Sequence, residues 1–419
     1  MLKKYMPYLT ATLCCLYSAT LLIYYGAYAQ VALIMAGVGL LLLPFTRKNL
    51  STTNKKAYLA IVGYFALTVI SLLINGGGIN QADMPSRTLL VLPVIALLVT
   101  YRPCTKWVMI GLPIGGIIVF GVTAYQHFVL HSRPLSSNGY MAIQASGMAM
   151  TLGILSLLAS YYFHSKKQNK LVILACAGAV GGITASLWSG SRGVLVISPL
   201  VLLAIVWIFR AKLTKKTILA SLVVIMIGSA TVYPLLSVRI NNMVEELNNY
   251  RSYSATEQHN LSGGFSANAR LELWKSALYM AKDYPIFGAG FDNIDRIRAQ
   301  QIKQGLLDPR TARYTRAHNQ FFEDLQTKGL LGVTVLLIMF GVPLSVFIKR
   351  YKAYKETEYG YFALMGASHI ILLMGYCLTQ HYLAHHSGML LFITYTAMFL
   401  ALSEPPKQSD TTSALELSS

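Results

Sequence analysis

The chain has 419 residues, of which 54% are hydrophobic and only 12% charged, and its formal charge is +19. A soluble domain carries about twice that charged fraction and a disordered chain far fewer apolar residues, so composition points to an all-α polytopic membrane protein. The positive charge is not a nucleic-acid-binding stripe either. More than half of the 35 Lys and Arg lie in short segments between apolar runs of about 20 residues, each long enough to cross a roughly 30 Å hydrocarbon core.

At the N-terminus, MLKK, the apolar run after it and AYAQ ending at Gln30 imitate a secretory signal. The run is long and a second span follows at once, so it reads as an uncleaved first helix. Spans are predicted over residues 7–25, 29–46, 57–75, 87–101, 107–127, 141–163, 171–188, 193–209, 217–236, 329–348, 360–380 and 387–402, about twelve transmembrane helices. Their connections alternate in charge. Lys3-Lys4, Arg47 to Lys56, Arg102 to Lys106, Lys166 to Lys170, Arg210 to Lys216 and Lys349 to Lys355 fall on one side, whereas the short connections opposite carry only Arg87, Arg133 and Arg192. The excess of Lys and Arg marks the cytoplasmic face. Both termini are therefore expected in the cytoplasm, with the chain multi-pass in its membrane.

Residues 1–236 thus hold helices one to nine and residues 329–403 the last three, while 404–419 read as a disordered cytoplasmic tail. The long connection, 237–328, falls in the periplasm and must be a substructure of its own, since loops of this length are rarely unstructured. From Asn268 it carries a helical pattern with Leu271, Trp274, Leu278 and Ala281 on one face, stopped by Pro285. FGAGFDN reads as a turn-rich connector, and a second helix is predicted over Tyr314 to Lys328. No internal repeat of fixed period is visible. The five cysteines, Cys14, Cys15, Cys104, Cys176 and Cys377, lie in or beside apolar spans, so neither a disulfide framework nor a metal site is expected.

Few residues stand out as chemistry. Arg192, in SGSRG between two apolar spans, sits where a charge costs about 3 kcal/mol on insertion scales. It reads either as an anion clamp, its planar donor fork matching phosphate oxygens, or as an interfacial Arg at a tight turn. Arg270 opens the amphipathic helix with Trp274 one turn on, in reach of the indole or of a ligand at the membrane surface, or is simply solvated. His318, in RAHNQFFEDLQTKGLLG, is of the side-chain type that changes charge near neutral pH and so suits proton transfer from a hydroxyl. Its neighbour Asn319 is placed to orient a sugar or the imidazole; a structural role fits the pair equally. His381, His385 and His386, with Gln380 and Tyr382, occupy the last connection on the same face, as part of an acceptor cleft or as interfacial filler. Gly288 to Gly290 and Gly76 to Gly78 do not lie between a strand and a helix and read as turns rather than phosphate loops.

Taken together, HNQFFEDLQTKGLLG resembles the ligase motif of the bacterial O-antigen ligase and polymerase superfamily: His, then Asn, Ser or Gln, then nine residues, then Gly-x-x-Gly. His318, Asn319, Gly329 and Gly332 fill its places. Val333 stands where that pattern often continues with Thr. SGSRG resembles the family's first Arg site, and NARLELWKSALYMAKDYPIFGAGFDN its periplasmic loop with the second Arg. The resemblance spans roughly residues 185–340.

It implies a fold like that of C-type glycosyltransferases and an extracytoplasmic active site working without metal, nucleotide or other cofactor. The implied activity is an O-antigen ligase of lipopolysaccharide biosynthesis, moving O-polysaccharide from undecaprenyl diphosphate to a lipid A core sugar hydroxyl, with membrane lipids as its surroundings and no nucleic acid as partner. Arg192 and Arg270 would bind the diphosphate and act with His318 as the catalytic set, with Asn319 and Trp274 binding substrate. A single displacement inverts the anomeric centre. Glu272, Asp292, Glu323 and Asp324 are further candidates for the base, Glu323 the less suited because five residues on a helix carry it off the face of His318. An O-antigen polymerase or a protein O-oligosaccharyltransferase uses the same chemistry on another acceptor. A glycan exporter would need charged or helix-broken sites near the midplane, and almost no acidic residue lies within the spans.

Overall fold

A computed structural model describes residues 2–136, 141–191, 193–210, 241 and 266–406. These form helices α1 (Leu2–Thr20), α2 (Ala27–Thr46), α3 (Thr52–Asn75), α4 (Val91–Thr100), α5 (Thr105–Ala124), α6 (Ala142–Ser165), α7 (Asn169–Trp188), α8 (Ser198–Phe209), α9 (Ser266–Asp283), α10 (Ile294–Lys303), α11 (Gln320–Ala353), α12 (Glu358–Thr379) and α13 (His386–Leu402), with short helical turns between them and no strand among the described residues. The protein is an α-helical multi-pass membrane protein. Eight helical stretches are long and apolar enough to cross a bilayer, with α8 and α13 as shorter apolar helices. The first helix, diluted by Lys3, Lys4 and its hydroxyl side chains, does not reach that apolarity. It also ends at Thr20 rather than at 25, because the chain turns there and Gly26 adopts φ 92° before α2. The span expected over 217–236, the first part of the 237–328 connection and the tail beyond Pro406 lie outside the described residues.

Burial sorts the helices into centre and rim. Of α6, 89% is buried, and of α12, 78%, as expected of helices apolar on every side. The outer α2 and α3 turn residues such as Leu41 and Leu73, each 80% exposed, outward, where hydrocarbon rather than water is the solvent. Small residues let α5 and α7 touch backbone to backbone. A Cβ on Gly116 would lie 2.2 Å from the Gly178 carbonyl oxygen, the close approach that glycines permit between membrane helices.

One end of the bundle is fastened by charge. Glu404 reaches back to Arg350 at 3.1 Å, Arg350 also bonds Asn54 at 3.0 Å, and Arg102 donates to the Glu404 carbonyl at 2.5 Å. Three of the basic connections therefore meet at one end. The opposite end gathers the close of α3, the start of α11, the close of α12 and the start of α13.

There α11 is broken on purpose. Gly329 takes φ 65°, ψ −159° inside an otherwise continuous 34-residue helix, so the amides of Leu330 and Leu331 leave the helix and bond the carbonyls of Pro285 and Ile286 at 2.8 and 3.3 Å. The carbonyls thus released, of Gln326 and Thr327, accept from Ala289 and Gly290 at 2.8 and 3.2 Å. FGAG is accordingly a turn, with Gly288 and Gly290 at φ 71° and 79°, and it satisfies the backbone that the break exposes. Asn75 adds a bond to the Phe287 carbonyl at 3.1 Å.

Candidate functional site

The site assembles around the head of α11. A helix was expected from Tyr314, but the helix starts at Gln320, because Asn319 accepts the amides of Phe321 and Phe322 at 2.9 and 3.3 Å and so takes the N-cap position. Residues upstream are held out of the helix by other partners. Buried Arg298 of α10 donates to the Tyr314 carbonyl, and buried Glu323 accepts the Ala317 amide at 2.9 Å and pairs with Arg316 at 2.7 Å. His318 therefore lies in the cap segment rather than on a helix, with φ 51°. A left-handed conformation at a non-glycine residue stores strain of the kind found at ligand clamps and active sites.

Three consecutive side chains fasten this segment to the connection between α12 and α13. His318 Nδ1 lies 2.8 Å from Gln380 Oε1, Asn319 Nδ2 donates to the Leu378 carbonyl at 2.9 Å, and Gln320 Oε1 accepts the Leu383 amide at 3.0 Å. The rings of His318 and His381 are 5.4 Å apart, and those of His381 and His385 4.8 Å. Two of the three clustered histidines thus adjoin His318. Burial, with the neighbouring His385, His318 and Arg316, pushes the His381 imidazole down to about 2, and burial with Arg316 and His318 pushes His385 down to about 4, so both are neutral at working pH. Beyond His385 opens a cleft of about 150 Å³ whose polar lining is Tyr25, Tyr28, Gln144, His385, His386 and Ser387. Among the described residues no three His, Cys, Asp or Glu are set to hold a metal ion.

Of the other expected residues, Arg270 is partly buried on α9. Trp274, one turn on, donates its indole N–H to the Ala317 carbonyl at 3.0 Å and stacks on Phe322, which seats α9 directly against the His318 segment. Arg192 itself lies outside the described residues, but its neighbour Gly193 abuts the end of α12: a Cβ there would be 2.2 Å from Thr379 Oγ1. The segments flanking Arg192, Arg270 and His318 thus meet at one end of the bundle.

The carboxylates considered as bases are each engaged. Glu323 holds Arg316 and the Ala317 amide, Glu272 accepts the Asp308 amide at 3.0 Å, Asp292 accepts the Gly78 amide at 3.1 Å, and Asp324 is buried with Lys328 and Tyr64. Asn319 likewise spends its polar atoms on the cap and on Leu378. Arg298 and Arg316, which shape the segment before His318, were not legible in the sequence. An Arg in a loop with many charges looks solvated, and only the fold shows Arg298 buried.

Residues 177–337 match the family model described as O-antigen ligase. Along nearly its whole length the chain is also similar to an uncharacterized protein of Haemophilus influenzae, 28% identical over 402 residues that cover 95% of this chain and 99% of the relative.

Proposed function

We propose that this chain, a member of the O-antigen ligase/polymerase superfamily, is an O-antigen ligase that transfers O-polysaccharide from undecaprenyl diphosphate to a lipid A core hydroxyl at the periplasmic face of the inner membrane. The observation that carries the reading is the clasped His318: a residue in a strained left-handed backbone conformation inside the family-matched segment, its imidazole tied through Nδ1 to Gln380 and seated beside the helix of Arg270. The acceptor hydroxyl attacks the anomeric carbon, the bond from that carbon to the diphosphate oxygen breaks, and the hydroxyl proton passes to His318. The diphosphate departs as an anion, and Arg192 and Arg270 offset the charge growing on its bridging oxygen, a kind of stabilisation that is commonly the largest in catalysis. Proton removal contributes typically 10²–10⁴ in rate, and a single displacement inverts the anomeric centre. Three basic connections gather at the opposite end, and because an excess of Lys and Arg favours the cytoplasmic face, this supports reading the His318 end as the outer one. The cleft beyond His385, where Gln144, His386 and Ser387 lie among Tyr25, Tyr28, Met141 and Met148, gives the acceptor an amphipathic approach.

Complementation of a strain lacking its ligase tests this, scoring polymer-bearing lipopolysaccharide for the intact protein and for His318→Ala at equal membrane abundance. A ladder restored by the first and lost in the second is expected. Failure of the well-expressed intact protein, in a host whose core it accepts, points instead to polymerisation of O-antigen units.

A further inference from the structure

We infer that Gln380 is the positioning residue of the site, holding His318 in the one tautomer that leaves Nε2 free to take the acceptor's proton. The inference rests on the ligase reading of His318 given above. An amide oxygen only accepts hydrogen bonds. With Gln380 Oε1 at 2.8 Å from His318 Nδ1, the ring proton is drawn to Nδ1 and the lone pair is left on Nε2, the atom on the far side of the ring. The amide's own orientation is fixed from its other end, where Nε2 of Gln380 faces Nε2 of His385 at 3.4 Å. His385, kept neutral by burial, accepts there in the tautomer that carries its proton on Nδ1, and in that arrangement the amide nitrogen faces His385 and the oxygen faces His318.

Backbone holds the pair just as firmly. Gln380 is 3% exposed, its amide caps α12 on the Tyr376 carbonyl at 3.1 Å, and its carbonyl accepts from Tyr382 at 2.8 Å. The contact joins positions 62 residues apart, and the bonds of Asn319 and Gln320 on either side keep the two strands of the clasp from sliding. Partners of this kind, which orient a working imidazole through its second nitrogen, are worth about 10–100-fold where they have been removed around metal-bound histidines. Among the described residues, the titratable and charged groups around His318 include Tyr314 and Arg316 of its own segment, Glu323 of α11, and His381 and His385 of the facing connection, with Arg270 on α9, the helix that Trp274 seats against the segment.

The test uses the full-length protein in nanodiscs with a synthetic polyprenyl-diphosphate oligosaccharide and purified lipopolysaccharide lacking O-antigen. Gln380→Leu is expected to lower kcat about 10–100-fold with KM for the lipid-linked donor within about twofold. Gln380→Glu, which keeps an acceptor at Nδ1 but adds a negative charge beside the ring, is expected to retain most activity and to move the acidic limb of the pH–rate profile upward by about one pH unit. A Gln380→Leu protein with parental kcat, or a Gln380→Glu protein as impaired as Gln380→Leu with its acidic limb unmoved, overturns the assignment to Gln380 while an inactive His318→Ala leaves the ligase reading standing. An active His318→Ala overturns both.

Discussion

Replacing Gly329 by Ala should be among the costliest small substitutions in the molecule, and the structure lets its size be worked out. At φ 65°, ψ −159° the residue occupies a region essentially restricted to glycine, so a side chain there costs about 1–3 kcal/mol in backbone strain alone. The new Cβ would also stand 2.4 Å from the Ile286 carbonyl oxygen and 2.6 Å from the Gly288 nitrogen. Both are backbone atoms, with no rotamer to escape into. Relief means parting the two segments, and losing two of the four bonds that cross between them adds roughly 2 kcal/mol. Gly341 of the same helix has nothing within 4 Å of its would-be Cβ, and Ala there should stabilise by up to about 1 kcal/mol. Over 419 residues, at about 2.1 cal/mol/K per residue, unfolding entropy is about 0.9 kcal/mol/K. A difference of about 4–5 kcal/mol between the two variants then separates their melting temperatures by about 5 °C. A thiol-reactive dye reads this directly, since Cys14 and Cys377 are buried free thiols. If Gly329→Ala and Gly341→Ala melt within about 1 °C of each other, the account of the broken helix is wrong.

Two other outcomes are open to test. Lys328→Met should destabilise by about 3–5 kcal/mol, because it leaves the Asp324 carboxylate buried without its cation, and the double variant with Asp324→Asn should recover most of that loss in the same melting assay. The depressed His381 and His385 bind fewer protons folded than unfolded, so stability is full above the ordinary value near 6.5 and falls as pH drops toward about 4 and then about 2. At pH 5 each histidine contributes a loss of at most about 2 kcal/mol, and His381→Phe should flatten the decline of melting temperature between pH 7 and 5; an unchanged slope would show that His381 is not buried neutral.

Much of this architecture is legible in the amino-acid sequence. Apolar runs locate the helices because the bilayer imposes a length on them, and the glycines of FGAG announce turns that the structure realises with positive φ. The sequence places the start of α11 too early because Ala317, Phe321 and Leu325 keep helical spacing while the backbone before Asn319 is held elsewhere by Arg298 and Glu323, partners distant in sequence or hidden by burial. For the same reason the sequence leaves His381 and His385 open between acceptor cleft and interfacial filler. Nothing local tells that a connection 62 residues away folds onto His318; only the packing of α11 against α12 does so.

The break at Gly329 has a mechanical consequence. Because the helix resumes at once and runs on to Ala353, the head that carries His318 and the shaft that crosses the bilayer are one lever, stitched at a fixed joint. Its height above the lipid and its angular setting are therefore matters of counting rather than of composition. Conservative apolar exchanges along the shaft leave the lever as it is, whereas inserting or deleting a single residue between Leu330 and Leu336 would rotate one part against the other by about 100° and shift it by about 1.5 Å. Evolution along this stretch should tolerate many letters but only one length.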